Sequence, residues 1–78
     1  MNKQRRKEIE KFAEEVNEKV SELSGIIDAE QEYLDNMPEN LQESERYQRT
    51  EEGIDELNDI LDEYTSLYDR LIDFVQEY

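Results

Sequence analysis

The sequence contains no cysteine, no histidine and no tryptophan, only one proline and two glycines. Without cysteine there is no disulfide to staple a small fold and no thiol nucleophile, a composition that fits a reducing compartment. Without histidine, the commonest general base and the commonest zinc ligand are both missing. Long apolar runs are missing too. No stretch approaches the roughly 20 consecutive apolar residues of a membrane span, and the basic start MNKQRRKEIEKF is not followed by the apolar stretch of a secretory signal. A cytoplasmic protein with no membrane contact is expected.

Positive charge is scarce. Nine lysines and arginines face 23 acids, for a net charge of −14. Four of the bases, Lys3, Arg5, Arg6 and Lys7, stand in the first seven residues, where there is no acid; the other five bases leave the rest of the chain at −18. An excess of this size opposes direct nucleic-acid binding and favours a basic protein partner. A nucleic-acid surface would need a larger basic area than residues 3–7 provide.

What is present is order among the apolar residues. In a seven-residue frame, Ala13, Val20, Ile27 and Leu34 form one row of the first segment, and Ile9, Val16, Leu23, Glu30 and Met37 form the other. In the second segment the rows are Tyr47, Ile54, Leu61, Tyr68 and Val75, and Thr50, Leu57, Tyr64, Leu71 and Tyr78. Low hydrophobicity with high net charge is a signature of disorder, but a disordered chain has no reason to hold this period, which fits an α-helix and no strand.

Each segment carries a third apolar stripe beside the seam: Phe12, Ile26 and Tyr33 in the first, Ile60, Leu67 and Phe74 in the second. A two-stranded coiled coil uses two positions in seven, and a bundle uses three. A chain of 78 residues also buries only about 60% of its unfolded surface, so its own core is marginal. The expected fold is therefore all-α: one domain over residues 1–78, an antiparallel helical hairpin with coiled-coil-like packing that pairs into a four-helix bundle. The homodimer seam is assigned to Ile60, Leu67 and Phe74. The five tyrosines fall on seam or third-stripe positions, which predicts packing with their hydroxyls at the rim.

The helices are predicted at about 4–35 and about 45–77, with a corner at 36–44. Pro38 disfavours helical geometry at Met37 and has no backbone donor, so the first helix ends near Asp35 or Asn36. Pro38–Gln42 suits a short helical corner, and Ser44 suits the cap of the second helix. Gly25 projects to the polar face, where a local bend and a functional hinge are both open readings. Gly53 falls in the third stripe level with Ile26 and Ile27, which suggests a close backbone approach. Antiparallel pairing lays the basic run Lys3–Lys7 beside Asp69, Asp73 and Glu77.

Little of this supports catalysis. Ser21, Ser24, Ser44 and Ser66 have no histidine partner and no nucleophile elbow, and no enzyme activity or cofactor is expected. There is no calcium loop and no Glu-x-x-His motif, so no metal site is expected. Glu30, the one acid in a seam row, is read as the ion-pair partner of Arg46 or Arg49. The acidic face offers more. Glu52, Asp55, Glu56, Asp59, Asp62, Glu63 and Asp69 form a ladder, and from Glu51 to Glu63 seven acids span about 20 Å, one charge per about 3 Å against one per about 1.7 Å in duplex DNA. A neighbouring helix bearing Glu14, Glu15, Glu18, Glu22, Asp28 and Glu32 would bring the combined density closer to that of DNA. Such a ladder is either a phosphate-like contact surface for a basic groove or a solvated face that keeps a small bundle soluble.

The stretch Glu32–Tyr47, with the core Asp35-Asn36-Met37-Pro38-Glu39-Asn40-Leu41-Gln42, followed by Glu51-Glu52-Gly53-Ile54-Asp55-Glu56-Leu57, resembles a motif of small acidic proteins of bacteriophages and prophages. The match covers about a third of the chain; the corner is its specific part, and the usual member has Ala where Gly53 stands. The resemblance carries over no functional residue. Those proteins are of unknown function, and phage origin suggests by analogy interference with a host nucleic-acid-binding or defence protein; the third stripe offers the alternative of a structural or assembly adapter that docks through its apolar residues.

At a net charge of −14 the chain repels itself, and salt screens that repulsion. Added sodium chloride is therefore expected to raise the melting temperature followed by circular dichroism. A salt-independent melt would mean that the acids are neutralised within the fold.

Overall fold

The computed structural model describes all of residues 1–78. Helix α1 runs Lys3–Asp35, a single 3-10 turn covers Glu39–Leu41, and helix α2 runs Glu45–Glu77. The two long helices pack against each other along their length, there is no strand, and the molecule is an antiparallel all-α hairpin of 60 × 15 × 12 Å.

Local chemistry sets the ends of both helices. Asn2 is extended and its side-chain oxygen accepts from the Arg5 amide at 2.7 Å, satisfying one of the amides that open α1. Ser44 does the same for α2, with its Oγ accepting from the Tyr47 amide at 3.2 Å while donating to the Leu41 carbonyl at 2.6 Å. At the other end of α1, Asn36 sits at φ −90° and ψ 1°, the bridge region in which a helix stops without turning left-handed. Its amide still bonds the Glu32 carbonyl at 3.0 Å, the Met37 amide bonds the Leu34 carbonyl at 3.2 Å, and Pro38 then leaves the helix at φ −56° and ψ 144°. No residue has a positive φ, so the reversal is made without glycine.

The core is thin. Five residues are buried: Ala13, Ile27, Leu34, Met37 and Ile54. Ile27, Leu34 and Ile54 form its centre, and Leu23, Tyr47, Leu57 and Leu61 pack on them half-buried. All of these belong to the seam rows. Met37 lies past the end of α1 and tucks its side chain under the corner, where its carbonyl accepts from Gln42 Nε2 at 3.4 Å.

Three expectations about packing need correction. Glu30 stands exposed and has no ion pair: Arg49 turns to Glu52 at 3.6 Å, and the Arg46 guanidinium lies 5.9 Å from the centre of the Tyr33 ring. A carboxylate at that place points past the two-helix seam into water. Gly53 is not a point of close approach, since a Cβ there would meet nothing within 4 Å. Tyr64 and Tyr78, placed in a seam row, are exposed, because two helices cover one side of that row only.

The ends of the hairpin are held by electrostatics of the backbone rather than by side-chain ion pairs. Arg5, Arg6 and Lys7 oppose the dipole of α1, whose first turn holds no acid, and neither helix has a base in its last turn. Antiparallel pairing corrects the mismatch between helices. Arg6 Nη2 donates to the Tyr78 carbonyl at 2.9 Å at the open end, supplying a cation to the negative end of α2. Asp69, Asp73 and Glu77 form no ion pair with the basic run, and Arg5 turns to Glu8 at 3.4 Å within its own helix.

Gly25 has a helical backbone, and a Cβ added to it would also meet nothing within 4 Å. Gly25→Ala is therefore expected to stabilise the hairpin by about 1 kcal/mol. Ser44→Ala is expected to cost about 1 kcal/mol through loss of the α2 cap. Urea unfolding should show these shifts with opposite sign.

Candidate interaction surface

Helical geometry around the seam divides the hairpin into distinct sides. The third stripes of α1 and α2 lie on the same side, because antiparallel helices bring equivalent flanking rows together. The contact of Tyr33 with Arg46, which belong to those two rows, fixes this directly. Along this side Phe12, Ile26, Tyr33, Ile60, Leu67 and Phe74 are all exposed, Ile26 at 60% and Leu67 at 52%. Tyr64 and Tyr78 add to it, and Phe74 and Tyr78 stack with ring centres 4.8 Å apart at a 36° tilt. The result is an apolar band along most of the hairpin, interrupted by Lys19 on α1 and by Arg46 near the corner.

Toward the corner the band runs into a cleft of about 620 Å³, lined by Tyr33, Met37, Pro38, Leu41 and Arg46 among others. Leu41 is exposed there although it belongs to the turn. Leu41 continues the row of Ala13, Val20, Ile27 and Leu34 in number, but α1 ends at Asp35, so the heptad frame does not give its exposed place. The place of Arg46 is legible in principle: it is level with Tyr33 across the seam, in the matching flanking row.

The acidic ladder lies elsewhere. Glu52, Asp55, Glu56, Asp59, Asp62, Glu63 and Asp69 are all exposed on α2 away from α1, with Glu56 and Glu63 nearest the rim of the apolar side. Of these seven, Glu52 alone has a cation, Arg49. The acids Glu14, Glu18, Asp28 and Glu32 are exposed on the side of α1 away from α2. The seam thus sends the two sets to opposite edges, and within one hairpin they do not merge into a surface of higher charge density. No three carboxylates converge closely enough to hold a metal ion. No helix is long and apolar enough to cross a membrane.

One further cation sits on the apolar side. Lys19 Nζ lies 2.9 Å from Glu22 Oε2, and the hydrogen bond to that carboxylate, followed by its charge, raises the Lys19 pKa above 10.5. A raised folded-state value means that the pair contributes below 10.5 and that its contribution is lost only as pH climbs through the higher folded value. At neutral pH the contribution is fully present, small because both groups are in water.

The fold and its surfaces define an acidic α-helical hairpin with one open apolar side. No family model, curated protein or solved structure matches the chain.

Arg46→Ala removes an exposed cation–π contact and is expected to cost about 0.5–1 kcal/mol. Arg49→Ala removes only an exposed pair one turn along the same helix and should leave the urea midpoint nearly unchanged.

Proposed function

We propose that this chain is a non-enzymatic protein-interaction module that makes its contacts through the surface of a paired hairpin. The observation that carries this reading is the apolar band of Phe12, Ile26, Ile60, Leu67 and Phe74, left in water by a seam two rows wide. Isolated exposed apolar residues are ordinary, whereas a contiguous band is the mark of an interface. Ile60, Leu67 and Phe74 are its anchors on α2, and the acidic edges keep the rest of the molecule soluble.

A second reading has its own support. Six of the seven ladder acids have no cation within the chain, an arrangement suited to a basic groove that would otherwise hold phosphates. In this reading Glu52, Asp55, Glu56, Asp59, Asp62, Glu63 and Asp69 act as phosphate-like contacts. The resemblance of the corner to phage proteins supplies the partner class, a nucleic-acid-binding or defence protein of the host cytoplasm.

The two readings separate in one experiment. Affinity capture from a bacterial lysate compares the wild-type chain with Leu67→Ser/Phe74→Ser and with Asp55→Lys/Asp59→Lys/Asp62→Lys, each checked for helicity. Loss of the captured protein with the serine pair, and retention in high salt, is expected for docking through the apolar band. Loss with the lysine triple, together with displacement by salt or duplex DNA, would transfer the function to the acidic edge.

A further inference from the structure

We infer that the apolar band is covered by a second copy of this chain, with the two corners at the same end, so that α1 of one protomer lies against α2 of its partner. The inference rests on the apolar-band reading and names its occupant.

Area is the first argument. The hairpin exposes 6326 Å², whereas a compact chain of 9.4 kDa exposes about 5,000 Å². The excess, about 1,300 Å² per chain by that scaling, exceeds the roughly 800 Å² that each side contributes to a standard interface. Two rods laid side by side on their apolar bands remove this excess and complete the three-row pattern of each helix. The hollow above Gly53 has a role in this arrangement. Gly53 belongs to the band, nothing in its own chain fills the space over it, and the protruding Ile26 of the opposite copy comes level with it.

Charge at the rim of the band selects the orientation. Ile27 packs with Ile54, and Tyr33 contacts Arg46, so residues whose numbers add to about 80 are level across the hairpin. Copies with their corners together bring Arg70 level with Glu8 of the opposite copy and Lys19 within a turn of Glu63, each twice by symmetry, against the like pairs Glu15 with Glu63 and Glu22 with Glu56. Turning one copy end for end sets Lys19 on Lys19, Arg49 near Arg70 and Glu56 near Glu63. That alternative keeps as many acid–acid pairs, adds base–base pairs and forfeits the attraction of Arg70 to Glu8, a cost that an already negative pair of chains cannot offset. These side chains are exposed in the single hairpin, and Lys19 is held only by its neighbour Glu22.

Two measurements on the full chain test the inference. Sedimentation equilibrium is expected to show a dimer that tightens as salt rises, because each copy carries −14. Leu67→Ser/Ile26→Ser should sediment as a monomer while keeping its helical circular dichroism, since both residues are exposed in the hairpin. A wild-type monomer would overturn the second copy as occupant while leaving the band free for another protein. A dimer untouched by the serine pair would overturn both the inference and the band as an interface. For orientation, the cysteine-free chain accepts a single nitroxide label through Asn40→Cys, an exposed corner site. Electron-electron dipolar spectroscopy should then report labels about 20 Å apart, two helix diameters. A separation approaching the 60 Å length of the rod would overturn the corner-to-corner arrangement.

Discussion

The seam between α1 and α2 closes two apolar rows of each helix where the sequence supplies three. Every surface property follows from that shortfall. The rows that meet make the core of Ile27, Leu34 and Ile54, and the row left over becomes a band of exposed Phe, Ile, Leu and Tyr. Within residues 1–78 nothing else covers that band, since two helices of 33 residues each and a short corner take up the sequence. Surface-to-volume scaling leaves so small a rod with few means of burying more of its own apolar area.

The same seam organises charge. Most acids occupy the outer edges, Lys19 and Arg46 stand in the third-stripe rows, and Arg49 and Arg70 share the rim of the apolar side with Glu56 and Glu63. Each helix taken alone is poorly charged for its dipole, with arginines and lysines at the start of α1 and no base in either last turn. Placing the start of one helix beside the end of the other turns two local penalties into one favourable contact, made by Arg6 on the Tyr78 carbonyl. Opposite edges for the two acidic sets lower their mutual repulsion in a chain whose charge works against compactness.

The fold is legible in the sequence because its signals are local. Pro38 and Ser44 mark the two sides of the corner through backbone chemistry that depends on a few neighbours, and the heptad rows mark the helices. The Asn2 cap is harder to see because the basic residues that follow it, Lys3, Arg5 and Arg6, are not the acids that usually accompany a helix start. Glu30, Arg46 and Gly53 depart from expectation for a different reason. Periodicity with antiparallel pairing gives the face and the axial level of a residue, but not which neighbour a long side chain takes or the width of the gap there. Arg46 reaches Tyr33, its level neighbour in the matching row, rather than Glu30, and the gap over Gly53 stays open, outcomes that only the assembled hairpin displays. The candidate surfaces divide the same way: periodicity alone groups the ladder residues on α2, whereas the separation of the two acidic edges requires the seam.

The uneven core gives the hairpin a direction. Ile27, Leu34, Met37 and Ile54, four of the five buried residues, crowd the half next to the corner, and only Ala13 is buried in the other half. Toward the open end the seam is made of half-buried Ile9, Val16, Leu71 and Val75. Opening therefore costs least at the mouth and most at the corner, so the helices part like a zipper with its stop at Pro38. Folding runs the other way: the first contacts to form join residues close in sequence across a short turn, where loop closure costs little entropy. The corner is thus where this chain begins to fold, and the mouth, with its arginine on a carbonyl, is the last part to close.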